Sequence, residues 1–386
     1  MSRIDELIAE HCPDGVDFKV LGEVVSPQRG RRLVRSQLEE SGRFAVYQNS
    51  MKPLGYYRES NTQAGATFVI VAGAAGEIGF SADAFWAADD VYFFPEADAV
   101  INKYLYHFLL TKQHEISSQV RRASVPRLSI AAIEKLKIPV PPLEVQREIV
   151  KVLDTFTKLE AELEAELEAR RRQYQYYRDA LLTFGERTDA DASKQASKQA
   201  SKQARITTLG EVFRMRAGQF ISANEIETDL DSTHTYPCYG GNGVRGFVGK
   251  YSHDGRYVLI GRQGALCGNV QRTSSKFYAT EHAVVVTPQN DVNVDWAFHM
   301  LTQMNLNQYA SKSAQPGLAV GKLEELPISV PPLEEQERIV AILDKFDTLV
   351  NDLSSGLPAE IKARRQQYEH YRDKLLSFPK PGEVPA

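Results

Sequence analysis

The segment PVPPLEVQREIVKVLDTF (139–156) is written a second time as SVPPLEEQERIVAILDKF (329–346). Further on, RRRQYQYYRDALLTF (170–184) returns as ARRQQYEHYRDKLLSF (363–378). The starts of the two halves also match, VLGEVVSPQRG (20–30) against TLGEVFRMRAG (208–218). Between these anchors the halves diverge but keep a skeleton, with IVAGAAGEIG (70–79) in the place of LIGRQGALCG (259–268). Each half is therefore a variable globular part followed by a shared helical part. A repeat of this length points to duplication and to packing with pseudo-two-fold symmetry.

The shared parts read as helices. Pro141-Pro142 and Pro331-Pro332 punctuate the chain, and Glu144 and Glu334 follow in the first turn, where a carboxylate suits the helix dipole. Apolar residues then recur at three- and four-residue steps. They run Ile149, Leu153, Phe156, Leu159, Leu163, Leu167, Tyr174, Tyr177, Leu181 and Phe184 in the first copy. The second has Ile339, Leu343, Phe346, Leu349, Leu353, Leu357, Ile361, Tyr368, Tyr371, Leu375 and Phe378. A narrow stripe kept over ~40 residues reads as a coiled-coil seam, and two such copies separated by a globular part pair most simply antiparallel. Within the first copy the run LEAELEAELEAR (159–170) repeats in units of four. Four residues inserted into a heptad seam shift its phase slightly and leave it facing inward. The interval from Phe156 to Phe184 is 28 residues and that from Phe346 to Phe378 is 32, so the copies differ by one such unit. Gly356 and Pro358 mark a kink or break in the second copy.

The variable parts carry short β-rich runs, ATFVIVAG, DDVYFFP, RYVLIG and HAVVVTP, divided by Gly, Asn, Asp and Pro. Each also holds one amphipathic helical stretch, INKYLYHFLLTKQ (101–113) and VDWAFHMLTQMN (294–305). These are sheet-cored α+β domains with many loops. Between the halves, SKQASKQASKQA (193–204) reads as a solvated linker, with phosphate gripping by Lys194, Lys198 and Lys202 as the lesser reading.

A net charge of −4 on 386 residues argues against a polycation that coats nucleic acid and leaves room for local basic patches. No apolar run approaches a membrane span of ~20 residues, and Cys12, Cys238 and Cys267 are too few and too dispersed for a disulfide framework. A cytoplasmic location is expected. The glycines of IVAGAAGEIG do not form G-x-G-x-x-G, and no G-K-[ST] follows. There is no Asn-Pro-Pro-aromatic tetrapeptide, and Glu360-Ile361-Lys362 is half of a nuclease E-x-K stranded on the helical part. The histidines show no metal-ligand spacing, so no catalysis and no metal are expected on this chain.

A duplicated protein on a helical spacer presents two recognition surfaces at a set separation, and for DNA readers that separation sets half-site spacing. Because the two variable parts differ, the target is expected to be asymmetric. The candidate DNA-binding residues lie in loops at matching places. In the first half they are Arg29, Arg31, Arg32, Arg35, Gln48, Asn49, Lys52 and Arg122; in the second, Arg214, Arg216, Gln219, Asn242, Arg245, Arg262, Gln263 and Lys312. Arg suits guanine and Asn or Gln suits adenine, at ~1–3 kcal/mol of discrimination for a good pair. Lys and the remaining Arg would hold phosphates.

The doubled PPLExQxxIVxxLDxF, each followed by RxQYxxYRDxLLxF, resembles the conserved regions of type I restriction–modification specificity subunits. With the four-residue repeats and the FPKP ending (378–381) it looks most like the type IC branch. The resemblance spans the whole chain in organisation. It implies an α+β fold with two α/β target recognition domains, 1–140 and 207–330, separated by long helices forming an antiparallel coiled coil with a pseudo-two-fold internal repeat. The helical regions are then 141–184 and 331–378, the linker 185–206 and the tail 379–386. It implies double-stranded DNA as ligand, two modification (methyltransferase) subunits and restriction subunits as partners, and no membrane. S-adenosylmethionine, ATP and Mg would be used by those partners, with no cofactor on this chain. Arg171, Tyr176, Arg365 and His370, on the outer faces of the helical regions, are the partner-binding candidates. The SKQA linker departs from the family's usual join. Two other readings stay open: a coiled-coil scaffold whose globular ends bind proteins, and the recognition part of a fused restriction–methylation enzyme.

Overall fold

The computed structural model of the protein describes residues 3–184, 204–289, 291–312 and 315–382. Most of the linker anticipated over 185–206, with Lys194, Lys198 and Lys202, lies outside the described residues. Two compact units divide the chain. One joins the residues up to Glu164 with those from Glu360 onward; the other runs from Ala165 to Ala359.

The two units share one topology. In the first, a four-stranded sheet has the order Gln28–Arg29, Val91–Phe93, Ala66–Ile70, Ile78–Ser81, and a three-stranded sheet the order Gly55–Tyr57, Phe44–Tyr47, Trp86–Ala87. The second unit repeats this with Phe213–Ala217, Ala283–Pro288, Tyr257–Gly261 and Val270–Thr273, and with Gly243–Val248, Tyr236–Gly240 and Tyr278–Ala279. The β-rich runs of the sequence thus become central strands. Ala66–Ile70 is buried at all five positions, with both faces of the strand covered and its one polar side chain, Thr67, hydrogen-bonded to Asn102. Opposite it, Gly79 is glycine because the Phe68 ring occupies the space its Cβ would need.

One helix backs each four-stranded sheet, Asn102–Thr111 in the first unit and Val294–Gln303 in the second. A two-stranded ribbon closes each domain, Phe18–Val20 on Lys137–Pro139 and Arg205–Thr208 on Pro327–Val330. Each ribbon leads through a Pro-Pro pair into a long helix.

The first of these helices, Leu143–Leu182, runs unbroken for 40 residues. Its character changes along its length. Val145, Ile149 and Leu153 are wholly buried in the core of the first unit, whereas Leu159 is 40% exposed. The stripe is thus domain core first and helix-to-helix seam afterwards. In the first unit Phe156 stacks on Tyr371 with ring centres 5.3 Å apart, and Arg365 reaches Glu160 and Glu164. Residue numbers rise along one helix as they fall along the other, so the pair is antiparallel. In the second unit Phe346 stacks on Tyr177, again at 5.3 Å, and more loosely on Tyr174 at 6.4 Å.

The second copy is interrupted. Its helix Leu333–Asn351 ends, and Leu357–Leu375 begins after a turn. The Asp352 carboxylate accepts from Ser354 and Ser355, which holds its pKa down to about 2. A Cβ on Gly356 would collide with the Thr348, Leu349 and Asp352 carbonyls. Leu353, expected in the seam, sits in this turn and is 79% exposed. Glu360 pairs with Arg364 one turn on and Ile361 is buried, so Glu360-Ile361-Lys362 is ordinary helix. Among the described residues no helix is long and apolar enough to cross a membrane, and no group of three or more His, Cys, Asp or Glu is placed to hold a metal ion.

Candidate nucleic-acid interface

Three loops meet at one end of the first domain. Asn49, just past the strand Phe44–Tyr47, accepts the Ala74 amide at 2.9 Å, and Gly73 donates to Pro126 at 3.1 Å. Arg121 and Arg127 exchange backbone hydrogen bonds and close the 121–127 hairpin. Gly73 takes a φ of +82°, which disfavours any other residue, and a Cβ there would also press on the Asn49 carbonyl. Beside this cluster the Arg29–Arg31 backbone lies along the Ala87–Val91 turn, with Gly30 donating to Val91 and Arg31 to Ala87. Only glycine fits at Gly30, since a side chain would run into the Ala87 and Ala88 carbonyls.

The second domain builds the same end from different residues. Gly241 packs on the Gln263 carbonyl, Gly264 donates to Pro316 at 3.0 Å, and Gln263 bridges to Gly317. Gly218 donates to Ala283 and Gln219 to Ala279, both at 2.9 Å, while the Tyr278 hydroxyl donates to the Phe220 carbonyl. Glycines thus let backbones touch, and the polar side chains project from a pinned frame.

The structure therefore gathers Gln48, Asn49, Lys52 and Arg122, with Arg29 and Arg31 alongside, and gathers Asn242, Arg262, Gln263 and Lys312 with Gln219 alongside. Most are exposed; Gln48 and Arg262 are half-buried. Arg32 is exposed just past Arg31, and Arg216 and Arg245 are exposed on the strands leading into the second cluster. Two candidates stand apart. Arg35 is on a separate short turn, Arg35–Gln37, and Arg214 pairs with Thr287, three residues further from the loop end than Ala217. Arg29 also spends its Nε on the Asp89 carbonyl at 2.9 Å. Of the helical candidates, Arg171, Tyr176 and His370 are exposed, Tyr176 at 71%. Arg365 is already engaged within its unit, since both Glu160 and Glu164 lie 2.5 Å from its guanidinium.

What holds this end in place was missed in the sequence. Gln146 and Gln336, the shared Gln of PPLExQ, are both wholly buried. Gln146 accepts the Ile101 amide at 2.9 Å and donates to the Ala99 and Pro141 carbonyls, each at 2.8 Å. Gln336 accepts from Asn293 and donates to Asp291 and Pro331. Each joins the start of the long helix to the start of the sheet-backing helix.

A second shared arrangement centres on His107 and His299, both wholly buried on the sheet-backing helices. His107 Nδ1 lies 2.8 Å from the Tyr368 hydroxyl and its Nε2 3.5 Å from Asp154; His299 Nδ1 lies 3.3 Å from Tyr174 and its Nε2 2.9 Å from Asp344. The signal was legible in retrospect: the aspartate of LDxF and the first tyrosine of YxxYRD occur in both copies. Only the histidine lies outside the repeated motifs.

Burial holds the His107 imidazole down to about 4, with Lys103 and Arg372 pushing the same way and Asp154 against. The unfolded chain therefore takes up this proton first, near its ordinary value of about 6.5. Stability of the first unit is then full above that pH and declines as pH falls towards 4. Thermal unfolding followed across this range should show that decline, and His107→Gln should flatten it.

The chain matches the family model of the type I restriction modification DNA specificity domain twice, over residues 13–169 and 202–363. It is 50% identical over 269 residues to the type I restriction enzyme EcoprrI specificity subunit of Escherichia coli, covering 67% of this chain and 64% of that one. It is 33% identical over 312 residues to the EcoR124I/EcoR124II specificity subunit of Escherichia coli, covering 73% and 72%. In fold it is similar to the S subunit of a type I restriction–modification system from M. genitalium, at a TM-score of 0.67 and 17% identity over 94% of this chain and 96% of the other.

Proposed function

The chain belongs to the type I restriction–modification DNA specificity family, and from that premise we propose that it is the non-catalytic subunit that reads a bipartite, asymmetric DNA target. One half-site is read by each domain, and the helices set the spacer between them. The observation that carries this is the pair of loop clusters: one frame, two different sets of side chains. The first combines Gln48 and Asn49 with Arg29, Arg31, Lys52 and Arg122; the second combines Gln219, Asn242 and Gln263 with Arg262 and Lys312, so the order and balance of cations and base-reading amides differ. Two unlike surfaces of this kind read two unlike sequences.

The chemistry belongs to partners. Two methyltransferase subunits, using S-adenosylmethionine, would act on adenines in the two half-sites; restriction subunits, using ATP and Mg, would act on unmodified DNA. Arg171, Tyr176 and His370 are the contacts we assign to these partners, and the DNA contacts are the two clusters above. The family membership leaves the coiled-coil scaffold reading without an observation of its own.

Methylation mapping of DNA from a host carrying this protein and its partners tests the reading. A split asymmetric motif with methyladenine in both halves is expected, and a continuous or palindromic motif overturns it. Replacing Arg32 by Ala should weaken binding on all sequences and reduce the slope of log affinity against log salt by about 0.9 if its contact is to a phosphate. Loss of discrimination at one base pair with the slope unchanged would place that arginine on a base edge instead.

A further inference from the structure

The Tyr–His–Asp arrangement is crossed with respect to the sequence. Asp154 lies on the helix that follows the first recognition domain, and it serves His107 of that domain. Asp344 likewise serves His299 from the helix that follows the second. The tyrosines are exchanged. Tyr368, which follows the second domain in the chain, reaches the histidine of the first, and Tyr174, which follows the first domain, reaches the histidine of the second. Each set lies within one compact unit. Each tyrosine also carries an arginine over its ring, Arg372 on Tyr368 and Arg178 on Tyr174.

The aspartate at Nε2 favours the imidazole tautomer with its proton there, so Nδ1 is left to accept the tyrosine hydroxyl. At His299 both nitrogens are hydrogen-bonded and the ring has one orientation; at His107 the bond to the Tyr368 hydroxyl sets the ring, and Asp154, 3.5 Å from Nε2, faces it as a charge without a hydrogen bond. The helix carrying it is also fixed to the reading sheet: Thr67, on the strand Ala66–Ile70, donates through its hydroxyl to the Asn102 carbonyl at 2.7 Å. That strand runs directly into the Gly73 loop of the cluster, and Leu128 at the end of the 121–127 hairpin donates to Val71. In the first unit the helix that carries the histidine is thus hydrogen-bonded to the strand that leads into the loops.

We infer that Tyr368 and Tyr174 are positioning residues for DNA reading, and that they act crosswise. Tyr368 would set how faithfully the first domain reads its half-site, and Tyr174 would do so for the second. This rests on the bipartite reading above. A purely structural role would lower the stability of one unit and leave its discrimination between single-base changes intact; a positioning role changes that discrimination in one half-site and leaves the other alone.

The test uses the full chain assembled with its methyltransferase subunits, and compares methylation rates on cognate duplexes and on duplexes with one base changed in either half-site. Half-sites are first assigned to domains with Asn49→Ala and Asn242→Ala, exposed amides in the two clusters that suit base edges rather than phosphates. Tyr368→Phe removes only the hydroxyl, and should reduce discrimination in the first half-site by about three- to tenfold, the worth of one buried hydrogen bond, leaving the second unchanged. Tyr174→Phe should do the reverse. The inference is overturned if each variant acts on the half-site of the domain it follows in sequence, on both alike, or on neither. If a tyrosine variant fails to fold, Arg372→Ala and Arg178→Ala, which remove the arginine over the ring of Tyr368 and of Tyr174, replace Tyr368→Phe and Tyr174→Phe with the same crossed half-site expectations. Should the unaltered protein show no split target, the function proposed above fails first, and that result is visible before any variant is made.

Discussion

Deleting residues 163–166, one LEAE unit, should shorten the unread spacer by one or two base pairs and leave both half-site sequences unchanged. The unit can be removed cleanly because it is repeated. After the deletion Leu167 and Glu168 stand where Leu163 and Glu164 stood. Arg365, which holds Glu160 and Glu164, would then find Glu160 and Glu168 in the same relative places. The seam also survives, since four residues turn the helix by roughly 400°, only about 40° past a full turn. What changes is length, by about 6 Å at 1.5 Å per residue, against roughly 3.4 Å per base pair. With the old spacer one half-site falls out of register, and methylation of the old target should drop by about a thousandfold, the scale separating specific from non-specific binding. The new target should take its place. Methylation mapping of the deleted form reads this directly: altered half-sites with an unaltered spacer would refute the idea that the helix measures.

Much of the fold was legible because the chain states it twice. The long helix is announced by its Pro-Pro start and apolar stripe, and the break in the second copy by Gly356 and Pro358. The strands were legible as apolar runs, but their order was not. A run such as ATFVI says that it is buried without saying that Val91–Phe93 and Ile78–Ser81 are its neighbours. The loop clusters were nominated from composition, yet composition could not separate Arg31 from Arg35, because only the folded chain places one beside the Gly30 turn and the other on a detached turn. Least visible were the buried polar residues. Gln146 reads as a surface residue of an amphipathic helix until the Ile101 amide and the Ala99 carbonyl it satisfies, 45 and 47 residues upstream, are brought to it. Tyr174 reads as seam packing, which it also is, against Phe346.

Those glutamines carry the largest stability prediction. Gln146→Ala would leave the Ile101 amide and the Ala99 carbonyl buried without their partner, and would deprive Pro141 of its donor at the entrance to the helix. The start of a helix offers the Ile101 amide no acceptor, since its own first amides already lack partners within the helix. Two or three unsatisfied groups should cost about 2–4 kcal/mol, and so lower the unfolding temperature of that unit by roughly 5–12 °C. Gln336→Ala should cost a similar amount through Asn293, Asp291 and Pro331. Because the two sites lie in different compact units and share no partner, their effects should add within about 0.5 kcal/mol. Gln146→Glu separates the donor role from mere size. It keeps the shape and an acceptor for Ile101, but cannot donate to the two carbonyls at neutral pH. Calorimetry on the three variants decides the matter: if Glu is as stable as Gln, the donor side of this network contributes nothing, and the shared glutamine must be explained by packing alone.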